Sequence, residues 1–279
     1  MFGRGENSDQ TFIGHLEAFR SHLLRMSVAL ILGAILSFVF YKQIFHHLIL
    51  APTHADFPPY QWLCSLAMYF NMPDLCMKDI SINFQNFKLS GQFMMSIKSS
   101  MVFGFIATFP YVMWELWRFL KPALTPKEIG TSRGIIFWVS LLFFIGVLFG
   151  YFIITPYTVN FFANYTVSEQ IINDIQIDDY LSTVLSLSLG TGLIFELPVV
   201  VYFLSKIGLI TPRFMREYRN YAIVIVLVMS AVITPPDMVS QIIVAIPIMI
   251  LYEISIRLSA RVEKKQIDSE KELLKKYKS

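Results

Sequence analysis

Long apolar runs alternate with polar breaks along this chain, and the runs set the expected elements. A polar opening, MFGRGENSDQTFIGHLEAFR, gives way to an apolar run at about Met26 to Tyr41. Others follow at about Met101 to Leu120, Gly134 to Tyr157, Leu181 to Ile207, Tyr221 to Thr234 and Ser240 to Leu258. A hydrocarbon core about 30 Å thick takes roughly 20 helical residues to cross, and backbone in lipid must satisfy its own hydrogen bonds. These runs therefore predict transmembrane helices, and none alternates as a transmembrane barrel strand does. The expected fold is all-α and polytopic, with six spans. The fifth run, YAIVIVLVMSAVIT, reaches only ~21 Å. It must thin the bilayer or lean on neighbours, or pair with the sixth run as a re-entrant hairpin.

The organisation predicted is an N-terminal segment over residues 1–25, a membrane domain over 26–258 and a charged tail over 259–279. Within the membrane domain, residues 45–91 form a long loop rich in Pro, Asn and aromatics, in which SINFQNFKL alternates like a short strand or an interfacial helix. The tail ARVEKKQIDSEKELLKKYKS reads as a mixed-charge helix, solvated or grazing anionic lipid. Pro110, Pro156, Pro198 and Pro247 fall inside or at the ends of runs. Each removes a backbone donor, so the bundle is expected to be curved and cup-shaped, although prolines are also tolerated as kinks without function.

Composition fits a membrane protein. Of 279 residues 55% are hydrophobic and only 15% charged, and the mean hydropathy is +0.55. Of 23 Lys and Arg, all but Lys42, Lys78, Lys88 and Lys98 lie on the side shared by both termini, which the positive-inside rule makes cytoplasmic. The expected location is the cytoplasmic (inner) membrane. The polar N-terminus lacks a signal-peptide cleavage site, so the first run is expected to stay as an anchor. Cys64 and Cys76 both fall in the external loop, where either a disulfide or two buried thiols is expected. The basic excess is explained by topology, and nothing points to nucleic acid.

The polar groups inside this apolar frame need reasons. Glu196, in GLIFELPVVV, is costly at the centre of a span. It reads as a structural hydrogen bond to Thr191 or a neighbouring helix, as part of a proton relay, or as a contact with a partner. On the cytoplasmic side HLEAFRSHLLR carries Glu17 and Arg20, and WRFLKPALTPKEIG carries Glu128. The acids are salt-bridge partners of nearby bases or fixed carboxylates for a cationic ligand, and Arg20 also suits a topology anchor. In AVITPPDMVSQ, Asp237 suits a helix cap, while Thr234 and Gln241 suit bonds to another helix. His46 and His47 read as interfacial rather than as ligands. No protease, hydrolase, Walker or zinc motif occurs, so neither an enzyme, a metal nor a cofactor is expected.

Five separated motifs, HLEAFRSHLLR, WELWRFLKPALTPKE, FGYFIITP, GLIFELPVVV and AVITPPDMVSQIIVAIP, together resemble the TatC family, the polytopic subunit of the twin-arginine protein translocase. The resemblance runs from His15 to about Glu253. It implies a receptor for twin-arginine signal peptides of folded cargo that gathers TatA/TatB-type single-span partners, as a homo-oligomer, for export driven by the proton-motive force. By resemblance Glu128, Phe119, Pro122, Leu124, Arg20 and Glu17 contact the signal peptide. Glu196, Thr234, Pro235, Asp237 and Gln241 contact a partner helix. One departure stands out: the family's first acid is expected where this chain has Ala18, and the nearest acid is Glu17, about 100° round the helix. The competing function is a proton-coupled small-solute transporter working through Glu196, which would call for inverted repeats that the sequence does not display.

Overall fold

The computed structural model describes residues 12–54, 56–69, 83–121, 134–168, 174–234 and 238–278. They are overwhelmingly helical: α1 Phe12–Val39, α2 Tyr41–Ile44, α3 Pro58–Tyr69, α4 Gly91–Leu120, α5 Ile135–Phe149, α6 Thr155–Asn164, α7 Ile177–Ile194, α8 Leu197–Lys206, α9 Pro212–Glu217, α10 Arg219–Ile233 and α11 Met238–Lys278. Five stretches are long and apolar enough to cross a membrane, namely Phe19–Val39, Gly91–Phe119, Ile135–Asn164, Ile177–Lys206 and Ser240–Asp268, and Arg219–Ile233 is a shorter apolar helix. The chain is an all-helical polytopic membrane protein. Its described residues fall into two compact units, one of 1–44 with 93–141 and the other of 45–92 with 142–279.

In the first unit α1 and α4 run antiparallel. His22 meets Glu115, Gly33 meets Gly104 and Tyr41 meets Ser99, so partner numbers fall as α1 advances. The helices touch backbone to backbone at the two glycines. A Cβ on Gly104 would stand 2.7 Å from the Cα of Ala34, and one on Gly33 would stand 2.9 Å from the Gly104 carbonyl oxygen. Small residues at such crossings are a usual means of helix association in lipid. Gly104→Val should therefore lower the stability of the detergent-solubilised protein by about 3 kcal/mol through overpacking. Gly134→Ala, where a new Cβ has only contacts of 3.8 Å and beyond, should melt with the parent; equal melting of all three proteins would refute the crossing.

The second unit is built around α7, α8, α10 and α11. Its core holds Ile154, Leu187, Ile194, Val226, Val244 and Ile248, with a satellite of Val201, Met215 and Ile256. Buried hydroxyls pair across helices, Thr158 with Ser240 at 3.0 Å and Ser205 with Ser259 at 2.7 Å, which leaves neither group unsatisfied. Proline shapes two spans. Pro156 follows a wide π-helical turn, Gly150–Ile154, in which the hydroxyl of Thr155 donates to the Gly150 carbonyl at 2.9 Å. Pro198 cannot donate to Ile194, and there the span breaks into α7 and α8 with Phe195 and Glu196 in the turn. Gly208 ends α8 in the left-handed region at φ +78°, where glycine carries no Cβ penalty. Thr211 then caps α9 by accepting from the Phe214 N–H at 3.2 Å, with Pro212 in the first turn.

The long loop folds onto the same unit. Tyr60, Tyr151 and Tyr180 donate to the carbonyls of Pro52, Leu48 and Ile49 at 2.5, 2.6 and 2.6 Å, and burial pushes the Tyr60 phenol up, keeping it a donor. Phe57 stacks on Phe152 at 5.7 Å. Of the short strand or interfacial helix expected in SINFQNFKL, the strand is present as β1, Phe84–Gln85, which pairs in parallel with β2, Ile175–Gln176. Gln85 donates to Asp174 at 2.6 Å and Lys88 stands 3.4 Å from Asp178. Cys64, half-buried on α3, is disulfide-bonded, which removes the free-thiol alternative for it; Cys76 lies outside the described residues. The tail expected as a mixed-charge helix is helical and continuous with the sixth run, one helix from Met238 to Lys278, because Glu, Lys, Arg and Gln are good helix formers once the apolar stripe ends.

Candidate functional site

Two loci carry the polar groups singled out above. The first lies where the start of α1 packs on the end of α4. Phe19 meets Phe119 with ring centroids 5.3 Å apart, and His22 approaches the same ring edge-on at 6.2 Å. Beneath them Glu115 is 1% exposed. One of its oxygens is 2.5 Å from His22 Nδ1, and the other accepts from Tyr111 at 3.2 Å and Arg118 at 3.4 Å. The Arg118 guanidinium also lies 4.9 Å above the Trp114 ring. A buried carboxylate with donors on both oxygens is a rigid arrangement, and it fixes the register of α1 on α4 directly below Phe119.

Of the residues proposed from sequence for signal-peptide contact, Glu17 and Arg20 are exposed on α1 and Phe119 is half-buried on α4. Neither Glu17 nor Arg20 enters an ion pair with another described residue. Pro122, Leu124 and Glu128 lie outside the described residues. The sequence reading missed Glu115 as part of this locus. The available signal was a second acid in WELWRFLKP one helical turn ahead of Phe119, with His22 as the complementary group in HLEAFRSH.

The second locus is Glu196. Its backbone carbonyl accepts from Val199 and Val200 at 3.0 Å each, restarting the helix as α8. Both side-chain oxygens are inaccessible and have no hydrogen-bond partner among the described residues. The internal bond to Thr191 considered from sequence is absent, since the Thr191 hydroxyl is turned to the Gly146 and Leu187 carbonyls at 2.9 and 2.6 Å. Such an orphan is costly inside a protein and chemically suits a donor brought by another molecule. In the outer cluster, Thr234 donates to Ser230 at 2.9 Å and Gln241 donates to the Leu227 carbonyl at 3.0 Å, tying α11 to α10. Pro235 and Asp237 lie outside the described residues. Among the described residues no three His, Cys, Asp or Glu side chains gather as a metal site would require.

A family profile described as Sec-independent protein translocase protein (TatC) matches residues 14–247. A TatC of Blattabacterium sp. subsp. Periplaneta americana is 37% identical over 265 residues, covering 94% of this chain and 100% of that protein. One of Aquifex aeolicus is 31% identical over 258 residues, covering 92% and 98%. A crystal structure of the twin-arginine translocase receptor TatC superposes with a TM-score of 0.70 at 31% identity, over 88% of this chain and 99% of that one. With this agreement along nearly the whole length, the chain belongs to the TatC family of Sec-independent protein translocase proteins, a core component of the twin-arginine translocase and a multi-pass protein of the inner membrane.

Proposed function

We propose that this chain is the receptor of its translocase, with six spans and both termini cytoplasmic, and that it captures the arginine pair of a signal peptide where α1 meets α4. The observation that carries the reading is the packing of Phe19 and His22 on Phe119. It holds Glu17 and Arg20 at the α1 end and Phe119 at the α4 end in one unit, and Pro122, Leu124 and Glu128 follow Phe119 by three, five and nine residues of sequence. Two guanidinium forks favour fixed carboxylates at a partly dehydrated site, in a geometry that lysine reproduces poorly. Glu128 is the principal acid, with Glu17 as the second in place of the acid absent at Ala18.

The same reading assigns Glu196, Thr234, Pro235, Asp237 and Gln241 to docking of single-span TatA/TatB-type helices, and a homo-oligomeric assembly around the receptor. The unpartnered carboxylate of Glu196 supports the intermolecular role. The small-solute transporter alternative needs a relay partner near Glu196, and no hydrogen-bonding group meets its oxygens among the described residues.

In membranes, photo-crosslinking of a twin-arginine precursor should fall about 10- to 100-fold in Glu128→Ala, the loss of one charge-assisted bond of about 1.5–3 kcal/mol. A twin-lysine precursor should crosslink weakly to the parent. Unchanged crosslinking in the variant, together with equal capture of the twin-lysine precursor, would show that the arginine pair is read elsewhere.

A further inference from the structure

A groove of about 560 Å³ runs beside α10 along one face of α11, a size common among ligand sites. Leu227, Ala245, Ile246 and Met249 give it an apolar floor, and Glu253 and Arg257 line one end. Because its lining repeats along α11 from Ile242 to Arg257, the groove follows the helix for ~22 Å. That is the direction an acyl chain takes in a bilayer.

The charges at that end do not balance. Both oxygens of Glu253 are taken by Arg219, with Nε to Oε1 at 2.9 Å and Nη2 to Oε2 at 3.0 Å. Arg257, about one turn further, is exposed and has no carboxylate at ion-pair distance among the described residues. Further positive charge is close by in the fold. The Tyr252 hydroxyl donates to the Met215 carbonyl at 2.7 Å, fastening α9 to α11; the exposed Arg213 and Arg216 on α9 outnumber Glu217, and the exposed Arg261, Lys264 and Lys265 on α11 outnumber Glu263. A partner helix of apolar side chains would fill the floor but leave Arg257 uncompensated. An acyl chain beneath a phosphate satisfies both ends of the groove, since basic pockets at helix ends bind anionic headgroups.

We propose that this groove retains one anionic phospholipid, with an acyl chain along Ala245 and Met249 and the phosphate at Arg257. The test is native mass spectrometry of the purified full-length protein, titrated with phosphatidylglycerol or with phosphatidylcholine of the same chains. One phosphatidylglycerol should be retained about fivefold more readily than phosphatidylcholine, the effect of roughly one basic residue near an anionic surface. Arg257→Ala should abolish the preference and Arg257→Lys should keep it, whereas Met249→Trp should reduce retention of both lipids. Millimolar inorganic phosphate should displace neither. Equal retention of the two lipids, an undiminished preference in Arg257→Ala, or displacement by phosphate alone would overturn the proposal. It would also be overturned if Met249→Trp blocked co-purification of a single-span partner while leaving phosphatidylglycerol retention intact, because the groove would then be a protein-docking face.

Discussion

Glu196→Leu is expected to yield a protein that melts later than its parent in detergent and yet exports no folded cargo. The carboxylate is inaccessible and without a hydrogen-bond partner among the described residues, and an acid at the centre of a span costs on the order of 3 kcal/mol on insertion scales. Leucine removes that cost and adds apolar burial. The turn between α7 and α8 survives because Pro198, not Glu196, breaks the helix. A stabilisation of about 2 kcal/mol should follow, and on the docking role proposed for this acid transport should be lost. Thermal melts and export of a folded reporter from a strain lacking the native gene measure the two effects. A variant less stable than the parent would mean that Glu196 is engaged within the chain, and one that exports normally would remove it from the docking site.

Glu115→Ala should do the opposite and destabilise the first unit by about 3 kcal/mol, as removal of one member of a buried charged pair commonly does. It strips His22 and Tyr111 of their acceptor at a position 1% exposed. The contribution of Arg118 is smaller, because that side chain is 45% exposed and its ion pair is screened by solvent. Double-mutant analysis with His22→Ala separates the pair from the packing: the double variant should lose clearly less than the sum of the two single losses. Signal-peptide crosslinking should fall in both single variants, since Phe119 rests on the helix that this network holds in register. Additive losses, or full crosslinking in a destabilised Glu115→Ala, would separate the network from the receptor site.

These two acids also show what the sequence could and could not convey. Both stand in apolar runs, and nothing local distinguishes them. Glu115 finds His22 across 93 positions of sequence, whereas Glu196 finds no partner among the described residues. Apolar periodicity tells which residues face a neighbour but not which neighbour it is. The spans themselves were legible because a run of about twenty apolar residues has few alternatives in lipid. Their ends were less so. α4 begins at Gly91, ten residues ahead of the apolar run, and the third span continues through Thr158 to Asn164, since polar residues extend a helix when Ser240 lies across from them. The break at Pro198 was written in the residue itself, whereas the cap of α9 by Thr211 was found only in the structure. The pairing of Phe84 with Ile175 joins segments some ninety residues apart and left only the alternation of its first strand as a sign. At the candidate receptor site, Glu17, Arg20 and Phe119 were singled out by resemblance to the family's motifs, but the aromatic contact that unites their helices joins Phe19 to Phe119 across a hundred positions of sequence.

The unbroken course of α11 has a mechanical meaning. Its 41 residues make a rod of ~60 Å, about twice the thickness of the hydrocarbon layer. Such a rod is a lever. With its apolar half gripped by α8 and α10, a tilt of about 10° within the bilayer swings the far tip by ~5 Å in the water. On the docking role proposed above, a single-span helix seated against the apolar half would thereby shift whatever meets the charged end, without any refolding.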